Sequence, residues 1–314
     1  MSFFARPSQA QDLHYSQYQL SPHTLTPALA GIFNGDHRFS GIFRNQWSSV
    51  PVDYTTITAG YDRRFMLGDS KNFINFGVNL NIDQAGDLQY QLAQGGLSLG
   101  YTLALNDNNL ITPAVQLNFS QRSIDATQAR GFSSTGFLEQ YLNSGNVTQL
   151  SLGLGLNWRI QQTERTNIDL GAAVAHLNTP ALSFIDSTEN TNRKLSLYGI
   201  GGFELTEKAD LKIRGLGQFQ GATQFLLGGG VKLYLNQQRG KQLALEIAGN
   251  YRLGDALYPN FIVYYNNLTV GLSYDINISD FTVATNNRGG PEIAIQYIIK
   301  SVKPLKDFKA CPIY

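Results

Sequence analysis

Between Asn72 and Ile82 the apolar residues Ile74, Phe76, Val78, Leu80 and Ile82 alternate with Asn75, Gly77, Asn79 and Asn81. Period two is the mark of an extended strand with one oily and one wet face. The pattern returns from Leu150 to Ile160, where Leu150, Leu152, Leu154, Leu156 and Trp158 stand against Ser151, Gly153, Gly155, Asn157 and Arg159. A water-soluble sheet covers its oily face with a second layer, yet almost no segment of this chain has the 3.6 period of a covering helix. An all-β, transmembrane antiparallel barrel, apolar outside and polar inside, satisfies both faces and leaves no unpaired edge. Leu154 then faces lipid. Asn157 faces the lumen, where a larger polar side chain such as arginine is expected to be tolerated.

Composition agrees with that reading. Charged residues make up 15% of the 314, against about 25% in soluble proteins. Aromatics at 11% suit membrane interfaces, and 31 glycines let tilted strands bend. No run approaches the roughly 18 to 20 apolar residues of a spanning helix, so any membrane crossing has to be made by strands. A net charge of +1 argues against an electrostatic hold on nucleic acid. The one cysteine, Cys311, excludes a disulfide within the chain.

The chain reads as one barrel with two appendages. Residues 1–10 look like the remnant of a signal peptide, because Ser8-Gln9-Ala10 carries the small residues of a cleavage site without the apolar stretch that should precede it. Residues 11–37 form a polar extension with Pro22 and Pro27 and no clear period, expected inside or beneath the barrel. Residues 38–300 supply the barrel, and 301–314 a tail. Period-two segments fall at roughly 38–47, 53–65, 72–83, 92–105, 110–121, 148–161, 166–176, 194–206, 211–221, 223–235, 241–252, 257–266, 267–277 and 291–300. That makes about fourteen strands. Short polar turns follow the even-numbered ones and long connections follow only odd-numbered ones. Outer-membrane barrels keep short turns in the periplasm and long loops outside, so an even count places both termini in the periplasm.

Residue by residue, several side chains stand out. Arg44, Asn45, Gln46 and Trp47 put a cation, two amides and an amphipathic ring on the first strand, a candidate contact for the extension or a partner. Arg159, Lys212, Arg214 and Lys232 alternate with apolar neighbours and should point into the lumen, paired there with carboxylates or a plug. The tail spaces Lys303, Lys306 and Lys309 by threes before Cys311-Pro312, a candidate docking segment. His14, His23, His37 and His176 show no metal-ligand spacing. The clusters Gly199 to Gly202 and Gly228 to Gly230 lie within strand patterns rather than ahead of a helix, where they would cradle phosphate. Neither catalysis, a metal nor a cofactor is indicated.

Both ends of the chain resemble a known family. Gln11-Asp12, Ser16-Gln17-Tyr18, Pro22, Pro27-Ala28, Ala30-Gly31 and Arg44-Asn45-Gln46-Trp47 are similar to the N-terminal signature of PorP/SprF proteins. Tyr251-Arg252, Gly254-Asp255-Ala256, Pro259, the run Gly271 to Asn277, Ala284-Thr285, Arg288-Gly289-Gly290, Glu292, Tyr297-Ile298-Ile299 and Cys311-Pro312 resemble its C-terminal part. The middle matches only as a strand pattern. The sequence departs from the family at Thr26, where an asparagine is usual, and at Ile313-Tyr314, which replaces an Arg-Phe ending. The resemblance implies an outer-membrane barrel of the Bacteroidota type IX secretion and gliding machinery, supporting secretion or surface anchoring of a partner adhesin. Its implied partners are outer-membrane lipid, other secretion components and that adhesin, not nucleic acid. The competing expectation is a plugged outer-membrane transporter for a small ligand.

Overall fold

A computed structural model describes residues 12–46, 54–68, 70–86, 90–123, 146–181, 190–279 and 288–300. Fourteen strands run in chain order: β1 (His37–Gln46), β2 (Tyr54–Met66), β3 (Phe73–Ala85), β4 (Tyr90–Ala104), β5 (Asn109–Ser123), β6 (Asn146–Gln161), β7 (Asn167–Ala175), β8 (Lys194–Thr206), β9 (Ala209–Gln220), β10 (Ala222–Asn236), β11 (Leu243–Arg252), β12 (Ala256–Tyr265), β13 (Leu268–Asn277) and β14 (Arg288–Ile299). Each pairs antiparallel with its neighbours in sequence, and β1 pairs with β14, from His37 opposite Ile299 to Arg44 opposite Glu292. The sheet is a closed barrel, so every strand has two partners and no edge is left open.

The alternation read from the sequence sorts side chains between wall faces. Leu80 on β3 is 59% exposed on the outside, whereas Asn79 beside it is 2% exposed on the inside. Leu97, Leu117, Leu154, Ile247, Phe261 and Ile295 extend the apolar outer surface, while Asn75, Ser98, Thr112, Asn118 and Asn260 line the interior. The barrel is therefore inside-out relative to a soluble fold, as lipid requires.

Turns after the even-numbered strands are short. The tightest joins β12 to β13 through Asn266 and Asn267, with Asn266 at φ 49°, a left-handed conformation that asparagine tolerates. The end of the barrel with these turns also holds His37 and Ile299. The opposite end carries the two longest connections, 124–145 and 176–193. Turns and loops thus segregate as the sequence suggests.

The lumen is occupied. Residues 12–36 run through it as short 3-10 turns at Tyr18–Leu20 and Pro27–Leu29 flanking a one-turn helix, Pro22–Leu25. Prolines at the first positions of the last two elements fix φ where no backbone donor is needed. Thr26 caps the second 3-10 turn by accepting a hydrogen bond from Ala28 N at 3.2 Å. Ser16, Gln17, His23, Ala28 and Ala30 are all at most 2% exposed. Close approach to the wall is made possible by small residues there. A Cβ at Gly271 would collide with Gln17 and Leu20, and one at Gly155 with Thr26 and Pro27.

The direction of this segment corrects one expectation. Asp12 N donates to Gln220 Oε1 at the end of β9, beside His176 and Lys194, so Asp12 sits at the long-connection mouth. Asp36 N donates to Ile299 O at the short-turn mouth. Strand parity does return β1 and β14 to one end, but the N-terminal segment crosses the lumen and its first described residue lies at the other. Parity constrains strands only; a polar lumen offered the extension a second route.

Candidate functional site

The features that distinguish this barrel are the fastenings between the lumenal segment and the wall. They begin at the long-connection mouth. Asp12 accepts from Lys194 Nζ at 3.0 Å and contacts His176 Nε2 at 2.7 Å, while His176 Nδ1 is 2.8 Å from Ser151 Oγ. Burial alone would raise the Asp12 pKa, but the Lys194 ammonium and His176 outweigh it and hold the carboxyl far below the usual range. Neighbouring His14 is pushed down by burial and by the guanidiniums of Arg44 and Arg252, so it stays neutral. Ser151 is 2% exposed and Lys194 shares the Asp12 carboxylate, so Ser151, His176 and Lys194 together fasten Asp12 to the wall.

A second fastening lies one turn deeper. Glu292 on β14 accepts from Ser16 N at 2.9 Å and Gln17 N at 2.7 Å. Arg44 on β1 donates to His14 O at 2.5 Å and to Asp275 Oδ2 at 2.8 Å. Arg252 on β11 donates to Asp275 at 3.2 Å, Asp255 at 2.9 Å and Ser16 Oγ at 3.0 Å. Two cations and three carboxylates thus share one network, which compensates charges that would be costly to bury singly.

The third fastening is near the short-turn mouth. Asp62 on β2 accepts from Gly31 N at 2.6 Å and from Arg38 at 2.9 and 2.7 Å, and approaches His23 Nε2 at 3.2 Å. Arg38 also donates to Leu29 O at 2.9 Å. Between the fastenings Tyr18, Leu25, Leu29 and Ile32 pack against Tyr198, Leu216, Leu226 and Tyr258, a small apolar core inside a polar lumen.

The residues singled out from sequence divide accordingly. Arg44 joins the lumenal segment to the wall; Asn45 instead donates sideways to Thr55 on β2 at 3.1 Å, and Gln46 is half-buried. Trp47, Lys303, Lys306, Lys309 and Cys311 lie outside the described residues. Arg159 pairs with Asp169 at 2.6 Å, Lys212 stands 3.5 Å from Asp210, and Arg214 pairs with Glu246. Lys232 lies 3.6 Å from the centre of the Tyr264 ring, a cation–π contact. Asn157 does face the lumen, but it is fully buried, donating to Asp169 at 3.0 Å and accepting from Tyr198 at 2.8 Å. The expectation that an arginine fits there is corrected: the face was legible, the free room was not.

Sequence reading overlooked Asp62, Asp275, Arg252 and Glu292 as partners of the segment. Their signal was present as inward-facing charges among neutral polar neighbours. It also passed over a Gly-x-Ser-x-Gly spacing at Gly96-Leu97-Ser98-Leu99-Gly100. That run lies within β4 rather than at a strand-to-helix turn, and Ser98 is buried with no hydrogen-bond partner for its hydroxyl among the described residues. Among those residues no cluster of three or more His, Cys, Asp or Glu is placed to hold a metal.

A family model described as type IX secretion system membrane protein PorP/SprF matches residues 8–297. The chain belongs to the PorP/SprF family. No curated protein matches the sequence. Among solved structures, the Ralstonia pickettii toluene transporter TbuX is similar at 11% identity and a TM-score of 0.50, over 89% of this chain and 94% of that one. A deletion mutant of the TodX monoaromatic hydrocarbon channel is similar at 10% identity and a TM-score of 0.50, over 86% and 91%. At such identities the likeness is one of fold: this PorP/SprF protein shares an outer-membrane type of barrel with them.

Proposed function

We propose that this PorP/SprF barrel is a non-catalytic outer-membrane platform that supports surface delivery or anchoring of a partner adhesin. It does so as a filled barrel, not as a conduit. The observation that carries this reading is the lumenal segment, 12–36, fastened at three levels by Asp12, Glu292 with Arg44, and Asp62. Expelling it would strand several buried charges, at a cost of about 3 to 5 kcal/mol for each broken pair. In this reading the short-turn end faces the periplasm, the long-connection end faces out, and residues 301–314, with Lys303, Lys306, Lys309 and Cys311, dock on periplasmic secretion components. A role in gliding would follow from the adhesin served.

The competing reading, a transporter for a small apolar ligand, has less support. A lumenal cleft beside the segment, lined by Asn79, Asn81, Gln94, Gln116 and Asn118 together with Leu13, Leu25, Leu92 and Val174, offers only about 60 Å³ of room.

The test is a gene deletion followed by mass spectrometry of proteins biotinylated on intact cells. Loss of one large adhesin from the surface, restored by the intact gene and not by a version lacking Val302 to Tyr314, is the expected result. An unchanged surface proteome in the deletion strain would sink the platform reading. Normal display with the truncated protein would remove only the tail's docking role.

A further inference from the structure

The outer wall carries an ionised side chain where lipid should lie. Inside the ends of the fourteen strands, the outward positions among the described residues are apolar or neutral, with the exception of Arg63 on β2. Alternation fixes its side. Asp62 accepts from Gly31 N at 2.6 Å and Arg64 donates to Phe33 O at 3.0 Å, both inside the barrel, so Arg63 between them points out.

A guanidinium facing hydrocarbon is costly and becomes tolerable only near the headgroups. Arg63 has that placement. It stands three residues before the end of β2 at the short-turn mouth, opposite His37, the first residue of β1. Its guanidinium carbon lies 4.6 Å from the centre of the Phe65 ring, the next outward side chain toward that mouth. The long stem thus leans toward water and away from mid-bilayer.

Inside the barrel Arg38, Arg44, Arg159, Arg214 and Arg252 each pair with a carboxylate. Arg63 joins no ion pair among the described residues, and its Nε is buried without a hydrogen-bond partner among them. Such an arginine offers a planar fork that fits a phosphate. A second polar group stands beside it. His37 is stacked on Tyr61 with ring centres 6.1 Å apart, and its Nδ1 lies 2.9 Å from the Tyr61 hydroxyl. That contact orients the imidazole, with Nε2 as its remaining polar edge. Around the pair, Phe39 lies across from Tyr297, His37 from Ile299, and Phe65 from Ile74. These five apolar side chains are between 36% and 46% exposed and form a skirt that runs from the polar pair into the bilayer.

From this we infer that the outer wall of β1 and β2 binds an anionic phospholipid, its phosphate in the fork of Arg63 beside His37 and its acyl chains against the skirt. A free anion would leave the skirt unused, and an acidic protein would have to displace lipid from the wall to reach the fork. With the short-turn end read as periplasmic, as proposed above, the lipid belongs to the inner leaflet.

The test uses the purified full chain in detergent micelles, titrated with dioleoyl phosphatidylglycerol or dioleoyl phosphatidylcholine and read by native mass spectrometry. The first phosphatidylglycerol should bind about tenfold tighter, the effect of one charge-assisted contact that choline's own cation would weaken. Arg63→Leu, which suits a lipid-facing position, should erase the difference. Arg63→Lys, a charge without the fork, should keep part of it. Lys71→Leu, in the exposed turn that follows β2, should leave it unchanged. Glycerol 1-phosphate, a headgroup without chains, should not displace the lipid. Independently of any variant, phosphatidylglycerol with a photoactivatable acyl chain should label the peptides that hold Phe39 and Phe65. Equal affinity for the two lipids, an Arg63→Leu protein that still prefers phosphatidylglycerol, displacement by glycerol 1-phosphate, or labelling confined to β8–β11 would each overturn the inference. Reversed labelling of whole cells would overturn the leaflet alone, because binding in micelles does not depend on how the barrel sits in a cell.

Discussion

Arg44 on β1 and Glu292 on β14 stand opposite each other in the ladder that closes the barrel, with Arg44 Nε 3.8 Å from a Glu292 oxygen. The lumenal segment joins the same pair, through Ser16 N and Gln17 N on the carboxylate and His14 O on the guanidinium. Glu292→Ala removes the acceptor of two backbone N–H groups and a counter-charge of Arg44. It should lower stability by about 3 to 5 kcal/mol, read as an earlier transition in heat-modifiability gels. Glu292→Gln keeps one carbonyl acceptor and should lie between. Wild-type behaviour of the alanine variant would show that the segment is not held there.

The wall should distinguish lipid from lumen. Leu154 is 46% exposed on the outer face, whereas Gln94 borders the cleft. Leu154→Arg should cost about 2 to 4 kcal/mol or block assembly if it lies near mid-bilayer, while Gln94→Arg should assemble normally. Equal yields of folded barrel from both would contradict the register of β6.

Asp12 makes the mouth clamp sensitive to pH. With its folded pKa depressed by Lys194 and His176, the carboxylate contributes stability that is complete above the unfolded value of about 3.9 and lost as pH falls through the folded pKa. Asp12→Asn should therefore lower the thermal midpoint at pH 7. The gap should narrow only when pH drops below about 4. A gap that stays unchanged well below pH 4 would show that the Asp12 carboxylate is not its source.

Orientation is open to direct labelling. In a Cys311→Ser background, cysteine at Ala222, exposed at the long-connection end, should react with an impermeant thiol reagent on whole cells. Cysteine at Asn108, exposed in a short turn, should not. Reversed labelling would invert the proposed topology.

Strand positions were legible because lipid enforces period two: the segments expected at 166–176 and 257–266 fall at Asn167–Ala175 and Ala256–Tyr265. The lumenal segment was not, since residues 12–36 carry no period and take their shape from the wall. Arg44 could be singled out by type, but its partners Asp275 and Glu292 are more than 200 residues away along the chain, and only closure of β1 on β14 brings them together. Asn157 and Gln94 look alike in sequence. Packing of Tyr198 over one and open space beside the other separate them.

The passage of residues 12–36 from one mouth to the other also ties the segment's seat to the closure of the barrel. A rod that spans a hoop cannot be added easily once the hoop is shut, least of all when it is hydrogen-bonded to both staves of the joint, Arg44 and Glu292. The segment ahead of β1 gains its full set of contacts only when β1 and β14 stand side by side, although β14 is the last of the strands in the chain. A barrel truncated before Glu292 has neither its joint nor the carboxylate that seats the rod.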